Sequence, residues 1–219
     1  MKLDLIYLAA GEGKRAKLGY PKQLARLGGK QILVHALEQF AKVAEIGTVV
    51  VACPIGRNAE FAGLLCRYGL SVCCIEGGAT RQESVRLALE HVETEYVLIH
   101  EAVRPFVTEE LIRAVISAKG DAVTPWLPGI ASTLLTLGCF FDRNQVGQVQ
   151  MPQRFATAVL RDAHANADSN DYTDDAHLVW ARAGVFPELL PGLEGNIKIT
   201  TPLDLIIAEA IYNARYAEE

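Results

Sequence analysis

Strand-like and helix-like segments alternate along the whole chain, which predicts an α/β fold: a doubly wound, mostly parallel sheet of Rossmann-like type. Two further observations agree. Three predicted strands run directly into glycine-bearing or charged turns, the place where such sheets bind their ligands. The chain has 219 residues, half of them apolar, enough to cover both faces of a sheet.

The apolar run 3–8 reads as the first, buried strand. Residues 31–43 carry Ile32, Leu33, Ala36, Leu37 and Phe40 at helical spacing, and the β-branched run 48–52 reads as a strand. A helix over 58–68, a strand over 70–75 and a helix over 82–92 follow, the last with Val85, Leu87, Ala88 and Leu89 on its apolar side. Residues 96–100 predict a strand, 109–118 a helix and 121–125 another strand. The period then changes. Between about 131 and 155, short β-type pieces (132–137 and 145–150) flank Asp142-Arg143-Asn144, a protruding β-arm. A two-stranded ribbon is marginal alone in water, so the arm is expected to pack on something: a second copy of the chain, or its own subunit by folding back. Beyond it, a helix over 156–166 precedes a polar linker and a helix beginning near Asp174, with Thr173 as its N-cap. A short strand over 196–200 comes next, and Pro202 opens the last helix. No repeat interrupts this pattern, so 1–219 reads as a single domain with 131–155 as a dimerisation arm.

A net charge of −5 with no evident basic face argues against nucleic acid as a partner. No apolar stretch is long enough to span a bilayer, and the N-terminus lacks the apolar core of a signal peptide, so no membrane is expected. The five cysteines (Cys53, Cys66, Cys73, Cys74 and Cys139) form no C-x-x-C pair and read as reduced, mostly buried thiols of a cytoplasmic protein.

Four segments carry chemistry. The first is Leu8-Ala9-Ala10-Gly11-Glu12-Gly13-Lys14-Arg15 with Pro21-Lys22-Gln23. Glycine amides that approach phosphate oxygens, joined by the fixed charges of Arg15 and Lys22, suit a triphosphate. The spacing is neither a Walker loop nor the dinucleotide fingerprint. The second, Glu76-Gly77-Gly78-Ala79-Thr80-Arg81-Gln82-Glu83-Ser84, is either a turn that reads a base or ribose by its backbone or a plain turn capped by Thr80 and Glu83. The third is His100-Glu101-Ala102-Val103-Arg104-Pro105 at a strand end. There Glu101 suits Mg²⁺ and Arg104 a phosphate, a simple Glu101–Arg104 ion pair being the alternative; His100 reads as a core histidine. The fourth, Asn196-Ile197-Lys198-Ile199-Thr200-Thr201-Pro202, presents Lys198 between two isoleucines.

Together these segments resemble the cytidylyltransferases that act on methylerythritol 4-phosphate and their relatives that act on ribitol 5-phosphate. The likeness runs from Leu8 to Asp204, with Asp142-Arg143-Asn144, Met151-Pro152-Gln153 and Thr173-Asp174-Asp175-Ala176 as further landmarks. It implies transfer of CMP from CTP to a small polyol phosphate, with release of pyrophosphate. Arg15, Lys22 and Lys198 would be the catalytic cations. Ala9, Ala10, Gly11, Gly13, Gly78 and Ser84 would bind the nucleotide. Glu101 would hold Mg²⁺, Arg104 would bind the acceptor, and Arg143 would reach it from the other copy of a homodimer. Glu101 stands where the family usually has aspartate, Ala79 where methylerythritol enzymes often carry an acid, and Met151 where bacterial members commonly have threonine. Val103, Phe106, Met151 and Thr201 resemble the ribitol type and tilt the acceptor slightly toward a pentitol phosphate. A transferase for another sugar phosphate or base, and a nucleotide-binding module without catalysis, are the alternatives.

Overall fold

The computed structural model describes residues 2–11, 19–131, 133–135, 138–170 and 172–216. The first half winds as β1 (Leu3–Leu8), a short hairpin of β2 (Arg26–Leu27) and β3 (Lys30–Gln31), α1 (Ile32–Phe40), β4 (Ile46–Cys53), α2 (Asn58–Arg67), β5 (Cys73–Glu76), α3 (Arg81–Leu89), β6 (Tyr96–Glu101) and α4 (Glu109–Ser117). The second half adds β7 (Ala122–Pro128), β8 (Thr133–Leu135), β9 (Cys139–Phe141), β10 (Gly147–Val149), β11 (Gln153–Ala156), α5 (Thr157–Ala165), α6 (Asp175–Ala183), β12 (Glu188–Pro191) and α7 (Pro202–Tyr216).

The main sheet runs β10-β7-β11-β6-β1-β4-β5, with β12 also on β7. Strands β5, β4, β1 and β6 pair in parallel, as the alternating pattern predicts. Side chains alternate across β1. Leu3, Leu5 and Tyr7 pack with Phe40, Phe61 and Ile112 on one face, while Ile6 packs with Val85, Phe155 and Leu178 on the other. Each face therefore has its own helical layer. Asp4 is buried in this strand because its carboxylate accepts from the backbone N–H groups of Thr48, Glu93 and Thr94.

Register decides where the site lies. Leu8 stands beside Ala52 and Glu101, and Cys53 beside Glu76, so the carboxyl ends of four parallel strands form one rim. A third cluster, with Leu27, Ile32, Phe106, Ile199 and Ala208, fastens α7 and the segment before it onto that rim.

The arm departs from expectation. Its hairpin is β8 with β9, turning at Gly138, and it forms a sheet of its own. The 147–149 piece instead returns to the main sheet beside β7. The expected strand at 196–200 is absent. That stretch has no regular secondary structure and joins no sheet; Ile199 N–H donates to Val103 O. Two strands have no clear period. Strand β11 lies antiparallel between β6 and β7, and it buries Arg154, whose guanidinium donates to Ile116 O and Gly120 O. Strand β12 is a short edge strand ending in proline. Asp174, not Thr173, caps α6 by accepting from His177 N–H. Of the four cysteines whose side chains are described, all free, only Cys53 is buried; Cys66 and Cys73 are exposed, against the expected burial.

Candidate active site

Three turns meet at the rim. The first leaves β1, and Ala9 N–H still donates to Ala52 O. Gln23 follows from the turn after Pro21, its amide donating to Ala9 O, so the Lys22–Leu24 3₁₀ turn is pinned against the end of β1. This brings Lys22 to the cleft with its side chain largely buried. Among the described residues, no atom lies within 4 Å of a Cβ built on Gly11. Its φ is ordinary, so neither packing nor backbone geometry demands a glycine there.

The second turn leaves β5. Here glycine is demanded, because a Cβ on Gly77 would stand 2.4 Å from Ala10 Cβ and 3.2 Å from Cys53 O. The absent side chain lets the start of α3 close on the end of β1. Thr80 caps α3 by accepting from Glu83 N–H, as the T-x-x-E spacing predicts, although Glu83 itself accepts from Ala79 N–H. Ser84 Oγ accepts from Gly78 N–H and donates to Thr80 O, fixing the Gly78 backbone at the cleft.

The third turn leaves β6 and holds Glu101, only 6% exposed. Lys198 Nζ donates to its Oε1 at 2.6 Å and Arg104 Nε to its Oε2 at 3.1 Å, while Arg81 Nε stands 3.5 Å from Oε1. Burial opposes ionisation of this carboxyl, but Lys198, Arg81 and Arg104 outweigh it and hold it down to about 2. The Glu101–Arg104 ion pair therefore exists, within a larger network. Arg104 also donates to the carbonyl of buried Asn196, whose amide donates to Met151 O. These bonds hold the 196–200 segment so that Lys198 reaches back to Glu101. His100 is a core residue, as expected. It packs between Tyr7 and Phe40 and donates to Arg104 O, and burial lowers its pKa to about 4.

The result is a cleft of about 670 Å³ lined by Ala9, Ala10, Gly11, Lys22, Gly78, Ser84, Glu101 and Lys198 among others. Among the described residues its wall carries three cations, Lys22, Arg81 and Lys198, against one carboxylate, so it suits a polyanion despite the chain's net negative charge. Gly13 and Arg15 lie outside the described residues. Arg143 sits exposed in the 3₁₀ turn after β9, its place set by Asp142, whose carboxylate accepts from Asn144 N–H. The sequence pattern includes Arg81 only within the 76–84 turn segment and gives it no role of its own. Its signal was a cation at the first position of a helix, where the macrodipole disfavours positive charge. Arg81 Nη2 donates to Asp175 Oδ2 at 2.6 Å. Of the four residues that tilted the acceptor toward a pentitol, Phe106 and Met151 are buried and do not line the cleft.

Among the described residues, no three His, Cys, Asp or Glu side chains gather to hold a metal ion. A single buried, ionised carboxylate beside a polyanion cleft does fit Mg²⁺, which binds through one or two carboxylates plus substrate phosphates.

The model of a family described as 2-C-methyl-D-erythritol 4-phosphate cytidylyltransferase matches residues 3–214. A Bacillus cytotoxicus protein of that name is 38% identical over 96% of this chain and 98% of its own length. A Streptomyces coelicolor protein of the same name is 37% identical over 94% of this chain and 83% of its own. The crystal structure of the Thermus thermophilus enzyme of that name aligns with a TM-score of 0.80 at 33% identity, covering 97% of this chain and all of that one.

Proposed function

The chain belongs to the 2-C-methyl-D-erythritol 4-phosphate cytidylyltransferase family, and on that premise we propose that its cleft joins CTP to 2-C-methyl-D-erythritol 4-phosphate. The protein is a CTP-dependent nucleotidyltransferase. The slight tilt toward a pentitol acceptor gives way, because two of its four residues are buried and do not line the cleft, and the Bacillus, Streptomyces and Thermus relatives are named for methylerythritol. The observation that carries the reading is the cleft itself: among the described residues, the cations Lys22, Arg81 and Lys198 and the backbone at Gly11 gather where β1, β5 and β6 end.

An oxygen of the acceptor phosphate attacks the α-phosphorus of CTP. The bond from that phosphorus to the bridging oxygen breaks, pyrophosphate leaves, and a CDP-polyol forms. The attacking group is already an anion, so no strong general base is needed. The barrier lies in bringing two anions together and in the charge that grows on the α-phosphate. Lys22 and Lys198, with Arg15, neutralise that charge. The backbone at Ala9, Ala10, Gly11, Gly13 and Gly78 receives the nucleotide, and Ser84 keeps the Gly78 turn in shape. Arg104 orients the acceptor phosphate. Glu101 positions Lys198 and Arg104 by hydrogen bonds and would also hold Mg²⁺. A metal held by Glu101 would supply added positive charge to offset the phosphates.

The exposed apolar residues of the arm, Leu134, Phe140 and Phe141, support a homodimer in which Arg143 of one copy reaches the acceptor bound by the other. The free thiols support a cytoplasmic enzyme, and no described helix is long and apolar enough to cross a membrane.

Pyrophosphate release with CTP, UTP, GTP and ATP, each against methylerythritol 4-phosphate and ribitol 5-phosphate, tests the reading. CTP with the first acceptor is expected to turn over fastest, and Lys22→Ala to lose about 10²- to 10³-fold in kcat with its fold intact. Near-normal turnover by that variant, or product only from another pair, would overturn it.

A further inference from the structure

Two buried aspartates stand side by side at the start of α6, and they do different work. Asp174 caps the helix through His177 N–H and also accepts from Gln153. Asp175, 1% exposed, is not needed for the cap. Its Oδ2 instead takes the Nη2–H of Arg81 at 2.6 Å, and its Oδ1 stands 3.7 Å from His164 Nε2. Burial works against the Asp175 carboxylate, and Arg81 and His164 more than compensate, leaving it ionised below the usual range.

Arg81 is thereby held between two carboxylates, Asp175 behind it and Glu101 in the cleft. Its Nε is buried, makes no hydrogen bond, and lies 3.5 Å from Glu101 Oε1, just short of closing on it. A guanidinium free of Asp175 has a better arrangement available: a two-pronged grip on Glu101, which is a natural carboxylate partner. That grip would compete with Lys198, which now holds Oε1.

We infer that Asp175 is a positioning residue of the transfer site: it restrains Arg81 from behind, so that Arg81 lines the cleft without closing on Glu101 and displacing Lys198. The inference rests on the reaction proposed above. It assigns Asp175 no contact with substrate. Its effect on the transfer site passes through Arg81, while its other neighbour, His164, lies away from the cleft lining, so for turnover a loss of Asp175 has nothing to act on once Arg81 is gone.

Three variants test this in the full-length chain: Asp175→Asn, Arg81→Met, and the two combined. Asp175→Asn is expected to lower kcat about tenfold to hundredfold, the usual cost of removing a partner that orients a contacting group, with a smaller change in KM for CTP. Arg81→Met is expected to be at least as damaging, and the combined variant no worse than Arg81→Met. Asp175→Glu should recover part of the loss. Losses that multiply in the combined variant, or wild-type kcat in Asp175→Asn, would overturn the inference. Should Asp175→Asn fail to fold, the combined variant removes both charges, and its comparison with Arg81→Met decides alone. Calorimetric CTP affinity across the same variants reads the coupling without turnover. An unmodified chain that binds CTP but transfers it to no acceptor would sink the proposed reaction while leaving the coupling measurable.

Discussion

His100 and Glu101 are neighbours with opposite lessons. His100 is buried among Tyr7 and Phe40, so protonating it in the folded protein is costly, and its pKa falls from 6.5 to about 4. Between those values the unfolded chain binds a proton that the folded chain refuses. Stability is therefore expected to be complete above pH 6.5, to fall as pH drops toward 4, and to level off below that on this account. Glu101 acts in a lower window, because its carboxyl drops from 4.5 to about 2 and its contribution is lost across that interval. Urea denaturation at half-unit pH steps should resolve both, and His100→Gln should flatten the upper one. A stability curve equally steep between pH 6.5 and 4 in that variant would remove His100 as the cause.

At the scale of the element, Gly11 and Gly77 separate the two reasons a turn holds glycine. Gly77 is fixed by packing, since any side chain there drives α3 off the end of β1. Gly77→Ala is expected to destabilise the protein by about 1–3 kcal/mol in chemical denaturation. Gly11 meets no described atom within 4 Å, so Gly11→Ala should leave the denaturation midpoint unchanged. On the proposed function it should weaken CTP binding, because the new methyl occupies the approach of a phosphate. Unchanged CTP affinity would take Gly11 out of the nucleotide site. Both glycines were legible in the sequence, since each follows an apolar run, but their difference was not, because it depends on what the neighbouring turn brings against them. The arm shows the same limit. Its turn residues were visible, yet β10 pairs with β7 and not with β8, and no local pattern states a partner.

For the whole molecule, the arm is the feature that a single copy leaves unexplained. Phe140 is 73% exposed and Leu134 55%, unusual for large apolar residues on a two-stranded ribbon. If a second copy covers them, sedimentation should give a dimer at micromolar concentration. Phe140→Asp should shift it toward monomer and raise KM for the acceptor, through loss of the arginine reaching across. A variant that becomes monomeric with unchanged kinetics would show that each cleft is complete within its own chain.

The sequence by itself determined the winding of the sheet, because alternation of apolar residues with period two or near four is a local property. It also marked the rim, since glycine turns and charges at the ends of apolar runs are read without knowing what they face. It could not determine which charges meet. Arg81 and Asp175 are 94 residues apart, and Lys198 and Glu101 are 97 apart. Only the register of β1 against β4 and β6, the folding of α6 onto that sheet, and the packing of α7 against Leu27 and Phe106 beside it bring those pairs within a hydrogen bond of each other. Local periodicity chooses the elements; contact between distant charges is set by how buried faces pack, and that exists only once the chain has closed.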